Sequence, residues 1–393
     1  MTIDDATIRD LIGFTDERGV LSFYAGHTPA KAADPQPTTP IEIRNQIKQL
    51  QARLAETDPP LAKAVDDRLR TIAGALGGLL DPKASGRGRA LFVGIASGDT
   101  TSLALQIPFR ERVVLHDSPY VRPLVAAHDE GRAAGVLVVS RAGARLFQWA
   151  VGEAVVLEDR SFEVKDSWLA DEKAGPSPGM PQHPHHGFVD RDRFEDRVDD
   201  NRHRFLREFV DDAIVISKRQ GWDRLVLSGS PKQRDEVKEL LEAVNGLRVL
   251  IADASWEDAA PHVVAEQAWP LLRSVHRDRE NQLVASALER TLAGGAGTLG
   301  LRGVCDALNE GRVAHLLYDD DLSLQGYRSE EGTLHPRAEG AVAASEVPLR
   351  AEPLFIERMI EAAIATGALV TPVGNDAAEQ LAPYEGVGAL LRW

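Results

Sequence analysis

A single cysteine among 393 residues excludes an intramolecular disulfide. That residue, Cys305, falls on the apolar side of an expected helix and reads as a small core residue rather than a nucleophile. No apolar run reaches the ~20 residues that span a bilayer. The acidic start Thr2-Ile3-Asp4-Asp5 lacks the basic region of a signal peptide. The cytoplasm is therefore the expected compartment, with no membrane partner. Positive charge is also scarce, with 45 Lys and Arg against 60 Asp and Glu for a net charge of −15. Such an excess repels a phosphate backbone unless basic residues gather locally, which argues against general nucleic-acid coating and against DNA as a partner. It is compatible with a shape-specific RNA partner met through a few patches. A phosphate-cradling loop is missing as well. Gly294-Gly295-Ala296-Gly297-Thr298-Leu299-Gly300 has no Lys-Ser/Thr and follows no strand. It reads as the loop entering a last domain, with backbone contact to RNA as the other reading.

What remains is ordinary for a globular protein of two or three domains, with 43% hydrophobic and 27% charged residues. The first block runs to about residue 125. Val20–Tyr24 has the composition of a strand, and Ile43, Ile47, Leu50 and Leu54 give residues 41–54 the spacing of an amphipathic helix. A further helix follows Asp58-Pro59-Pro60. Lys83, Arg87 and Arg89 form a small basic tip at a surface turn before a strand over Ala90–Ile95. The block closes on Ser118-Pro119-Tyr120-Val121-Arg122-Pro123-Leu124. The second block, to residue 272, opens with a hairpin of Gly135–Ser140 and Arg145–Trp149 and a third strand at Glu153–Leu157. A long helix from about Arg193 to Arg219, the strand entering Leu227-Ser228-Gly229-Ser230, a helix from Gln233 to Val244 and a strand from Leu247 to Ile251 follow.

The last block, residues 273–393, is the most patterned. Val304, Ala307 and Leu308 recur at helical spacing before Gly311, a natural left-handed stop. Val313–Tyr318 is a near-continuous apolar run, as a buried parallel strand requires, and leads into Asp319-Asp320-Asp321, which reads as a solvated turn. A second helix fits Pro353–Thr366 with a stop at Gly367, then a strand over Ala368–Thr371. The chain closes with Gly386-Val387-Gly388-Ala389-Leu390-Leu391-Arg392-Trp393, whose glycines suit a tight turn or close backbone approach.

In order and spacing, these blocks resemble archaeo-eukaryotic release factor 1 and Pelota. The match is to the bacterial branch that includes the Balon-like hibernation factors and is related to peptidyl-tRNA hydrolases of the Vms1 type. The resemblance implies an α/β, multidomain fold. Residues 1–125 would form a bacterial-specific first domain, 126–272 an RNase-H-like central domain whose Leu-Ala-Gly-Ser is matched by Leu227–Ser230, and 273–393 an L7Ae-like third domain. It also implies binding in the ribosomal A site against rRNA, accompanied by elongation factor Tu, as a hibernation or stress factor. Two alternatives stay open: a peptidyl-tRNA hydrolase in ribosome rescue, and a non-ribosomal RNA-binding scaffold.

Family members that cleave peptidyl-tRNA carry Gly-Gly-Gln on a loop before the long helix. Here that loop reads Gly175-Pro176-Ser177-Pro178-Gly179-Met180-Pro181-Gln182-His183-Pro184-His185-His186-Gly187. Pro181 has no N–H, fixes its own φ and biases Met180 to extended geometry, so this backbone does not copy two consecutive glycines. No catalytic residue, metal or cofactor is therefore expected. The three histidines sit on a proline-interleaved loop without cysteine, a poor cage for zinc. Gly179, Met180, Gln182, His183, His185 and His186 are instead candidates for contact with ribosomal RNA, through hydrogen bonds and imidazole stacking. A proline-rich loop loses less entropy on ordering than a Gly/Ser one. Replacing residues 179–186 by a short Gly/Ser linker is expected to weaken ribosome affinity several-fold at fixed salt with thermal unfolding unchanged. Equal affinities remove the loop from the interface.

Overall fold

The computed structural model describes residues 3–27, 38–164, 186–336 and 348–393. It divides into two compact units, residues 133–273 and residues 1–132 with 274–393. The first and last sequence blocks thus share one unit.

In the larger unit, β1 (Val20–Gly26), β2 (Gly88–Gly94), β3 (Thr100–Leu105) and β4 (Arg112–His116) form an antiparallel sheet in the order β3-β2-β1-β4. α1 (Asp5–Ile12) precedes it, while α2 (Thr38–Thr57), α3 (Pro59–Thr71) and α4 (Ala73–Leu80) lie between β1 and β2 in the chain. Leu21, Phe23, Leu91 and Val93 point to one face, where they pack with Ile43, Leu50, Val65 and Leu79 of the helices. The alternate residues carry aromatics. Tyr24 makes edge contacts with Phe92, Phe109 and Tyr120 at 5.1–6.2 Å between centroids. β1 is buried along its whole length, and its one polar side chain, Ser22, accepts the Tyr120 N–H through its Oγ.

The expected basic tip needs correction at Arg89. It lies in β2 at 4% exposure, and its guanidinium donates to the carbonyls of Gly78, Leu79, Asp81, Ala84 and Ser85. Carbonyls at and just beyond the end of α4 have no intrahelical donor, and the five N–H groups of an arginine supply them.

After α5 (Arg122–Glu130), the second unit holds β5 (Ala134–Val139), β6 (Gly143–Ala150), β7 (Glu153–Ser161), α6 (His186–Gln220), β8 (Arg224–Gly229), α7 (Pro231–Glu242) and β9 (Arg248–Ile251). The sheet order is β7-β6-β5-β8-β9. The β7-β6-β5 ladders are antiparallel and β5-β8-β9 parallel. One face packs Leu137, Leu146, Leu225 and Leu227 against Leu206, Phe209, Val210 and Ala213 of α6. The other packs Val136, Phe147, Trp149 and Val226 against Val264, Ala265, Ala268 and Leu272.

These last four residues belong to α8 (Pro261–Leu292), a 32-residue helix that the sequence reading assigned to no element. Pro270 interrupts its pattern. Its two ends also feed different cores, with Val284 and Ala287 packing against Leu317, Val373 and Leu381. A stripe that changes partner along the helix leaves no single period to find.

The larger unit is completed by β10 (Gly297–Leu299), α9 (Leu301–Asn309), β11 (Val313–Asp319), β12 (Gly326–Ser329), β13 (Leu334–His335), β14 (Leu349–Glu352), α10 (Phe355–Ala365), β15 (Leu369–Val373), α11 (Asn375–Leu381) and β16 (Val387–Leu391). One sheet runs β10-β16-β11-β15, with β11 and β15 parallel, and a small antiparallel one runs β13-β12-β14. Part of the Gly-rich 294–300 segment is therefore strand, not loop. Both expected glycine stops are present. Gly311 and Gly367 have φ of +67° and +72°. The following N–H groups, Arg312 to Ala307 O and Ala368 to Ala363 O, close the paired bonds of a Schellman motif.

Two glycines give opposite predictions. A Cβ at Gly135 on β5 would lie 2.7 Å from the Trp222 ring, so Gly135→Val is expected to destabilise by about 1–3 kcal/mol or more. A Cβ at Gly77, inside α4, meets nothing within 4 Å, so Gly77→Ala is expected to stabilise by about 0.5–1 kcal/mol. Denaturant midpoints of the two variants check both signs.

Candidate functional site

Of the six candidate residues, Gly179, Met180, Gln182, His183 and His185 lie outside the described residues, and His186 is the first residue of α6. The helix thus starts about two turns before the expected Arg193. The structure does define the two ends from which the loop departs. Phe162, just past β7, contacts the Phe205 ring of α6 at 5.6 Å, and the Arg202 guanidinium lies 5.1 Å over the Phe162 ring. Arg160 of β7 bridges to Asp212 of α6 at 2.7 Å. Further along, Asp199 bridges to both Arg202 and Lys232, and His203 pairs with Glu236 of α7. The described residues that flank 165–185 are thus held by packed aromatic and ionic contacts within the smaller unit.

A second constellation, which sequence reading missed, lies in the larger unit where the 116–122 segment meets α10 and the end of β11. Arg122 donates to the carbonyls of Asp319 (2.9 Å), Asp320 and Leu322 (2.6 Å), with its guanidinium 5.1 Å over the Tyr318 ring. The expected solvated turn at Asp319–Asp321 is thus a docking point through its backbone. Arg358 donates to Glu352 (2.8 Å) and Glu361 (2.7 Å) and faces both ring nitrogens of His116. His116 in turn contacts Glu352 at 2.9 Å. Burial opposes the Glu352 charge, but hydrogen bonds from His116 and Arg358 outweigh it and hold the carboxyl down at about 2.

Ser118, His116 and Glu352 are the residue types of a hydrolytic triad, yet the geometry is not one. Ser118 Oγ donates to Glu361 and stands 3.4 Å from His116 Nδ1, while Arg358 occupies the imidazole. Ser118, Glu352 and Arg358 are buried and His116 and Glu361 partly so, and the set fastens chain segments rather than activating a nucleophile. Cys305 is equally unsuited, because burial and the nearby Asp306 and Glu385 push its thiol up to about 12. No group of three or more His, Cys, Asp or Glu suited to a metal occurs among the described residues.

Residues 119–278 match the bacterial archaeo-eukaryotic release factor family 10. Over these residues the chain is similar to the bacterial archaeo-eukaryotic release factors. No curated protein matches the sequence. Among solved structures, archaeal Pelota, from a ribosome-bound assembly with ABCE1, is 16% identical over 78% of this chain and 77% of its own, with a TM-score of 0.41. The archaeal termination factor aRF1 is 16% identical over 100% and 99%, with a TM-score of 0.24. Dom34 of S. cerevisiae is 9% identical over 78% and 79%, with a TM-score of 0.37. Likenesses this distant assign no role to any residue.

Within the second constellation, Glu357 is the group out of balance. It is 2% exposed; Oε2 accepts the Val121 N–H at 3.1 Å and Oε1 has no hydrogen-bond partner. Burial raises its pKa from 4.5 to about 8, against the opposing pull of Arg122. The unfolded carboxyl titrates near 4.5, so between that pH and about 8 the folded state holds a proton the unfolded state has lost. Stability then falls as pH rises through the window. Glu357→Gln is expected to raise the melting temperature relative to wild type at pH 9, reflecting a stability gain of roughly several kcal/mol, with the gap closing by pH 4.5. A gap independent of pH would contradict this.

Proposed function

We propose that this protein is a ribosome-binding translation factor that occupies the A site without hydrolysing peptidyl-tRNA, acting in hibernation or stress. Kinship with release-factor-like proteins over residues 119–278 supports the class. The observation that carries the non-hydrolytic part is Met180-Pro181-Gln182, in the chain between β7 and α6, where releasing relatives have Gly-Gly-Gln. Domains at 1–125, 126–272 and 273–393, the last of L7Ae type, belong to the same reading. So do a cytoplasmic location, rRNA as the surface met by residues 179–186, and elongation factor Tu as an accompanying partner.

Gln182 keeps a second reading in view, since a lone glutamine can still orient a water at an ester. Purified stalled ribosomes carrying labelled peptidyl-tRNA separate the two. Wild type and Gln182→Ala are both expected to release no peptide above background. Release by wild type that is lost in Gln182→Ala makes the protein a hydrolase. The protein is also expected in ribosomal fractions of lysates, more so in stationary phase or cold. Its presence in the lysate but absence from those fractions under every stress tested removes the ribosomal reading and leaves the scaffold one.

A further inference from the structure

Arg328 on β12 stands directly opposite Arg350 on β14 in the antiparallel ladder. Like charges at such a rung repel each other and destabilise the pair. One carboxylate lies between them. Asp117, just past β4, reaches Arg350 at 3.3 Å, Arg328 at 3.6 Å and Arg358 at 3.5 Å. Arg358 already has Glu352 and Glu361 at 2.8 and 2.7 Å. Among the described residues the two strand arginines therefore share one negative charge, at distances longer than the ~2.7–2.9 Å of a charge-assisted hydrogen bond. The cluster opens to solvent, with the side chains of Asp117 and Arg350 49% and 72% exposed and that of Arg328 28% exposed.

We propose that Arg328 and Arg350 form a binding site for a phosphate group of an RNA backbone, with Asp117 as the internal anion it displaces. Guanidinium forks match phosphate oxygens bidentately, and a phosphate offers oxygens to both arginines where one carboxylate leaves them stretched. Asp117 then acts as a competitor that keeps the opposed pair folded when no ligand is present. A small positive patch of this kind is how a chain of net charge −15 meets a polyanion. The choice of RNA rests on the ribosomal reading above. The arginine pair stands without it.

The test is binding of a fluorescently labelled RNA hairpin to the full chain across a salt series, with thermal unfolding as the folding control. Asp117→Asn, which removes the competing charge and keeps the shape, is expected to tighten binding several-fold. Arg350→Gln is expected to weaken it several-fold and lower the salt slope by about one, and Arg328→Gln with Arg350→Gln by about two. Wild-type affinity and slope in the double variant, or no gain in Asp117→Asn, overturns the site. Full displacement of the hairpin by millimolar inorganic phosphate overturns RNA in favour of the free anion. A phosphopeptide bound through these arginines with no hairpin binding overturns RNA likewise. Ribosome pelleting separates the two proposals. A double variant that pellets like wild type overturns this site and spares the ribosomal reading, whereas arginine-dependent hairpin binding without pelleting does the reverse.

Discussion

The larger unit depends on how one guanidinium is satisfied. Arg122 comes at the start of α5, yet its donors go to three carbonyls at the end of β11, nearly 200 residues later. Backbone carbonyls beyond a strand end have no ladder partner, and a buried guanidinium has no water, so each cures the other's deficit. The Tyr318 ring beneath adds a cation–π contact. Loop closure over such a span costs only slightly more than over a shorter one, because the entropy grows with the logarithm of length. An insertion with its own cores, residues 133–273, is therefore compatible with a unit assembled from both ends of the chain.

The ion network around Arg358 extends the same logic to side chains. Buried ion pairs add little net stability over well-packed apolar groups, but losing one partner leaves an uncompensated charge and typically costs about 3–5 kcal/mol. His116, Glu352, Arg358 and Glu361 thus enforce one arrangement of β4, β14 and α10 more than they strengthen it. Glu357 marks where that arrangement is not fully compensated. Its carboxyl accepts the Val121 N–H at the buried start of α5, yet has one oxygen without a donor.

Features set by neighbours in the chain were legible in the sequence. The glycine stops at Gly311 and Gly367, the apolar run Val313–Tyr318 and the central hairpin all follow from residue type at fixed offsets, and the structure has each of them. Features set by distant partners were not. Nothing near Arg89 marks it as buried, because its partners are carbonyls of the preceding helix and turn. Pro119–Leu124 stood out as a segment, but its role lies in Glu357 and the β11 turn, which only folding supplies. α8 escaped because Pro270 and a changing apolar face erase its period. Of the candidate loop, the structure adds the root at Phe162, Arg160 and α6, and the start of that helix at His186.

The reading of that loop turns on what its residues can offer a partner. Four prolines among residues 175–187 remove four backbone donors and fix four φ angles. Stabilising a tetrahedral oxyanion needs donors aimed at a developing charge, commonly backbone N–H groups in conformations open to glycine. Beside the backbone donors that remain, the side chains offer one amide at Gln182 and imidazoles at His183, His185 and His186, all able to hydrogen-bond or stack on RNA. A sequence with four fewer backbone donors and such side chains is suited to the proposed filling of a cavity. Under the proposed occupation of the A site, such side chains rather than a backbone oxyanion hole would make the contacts.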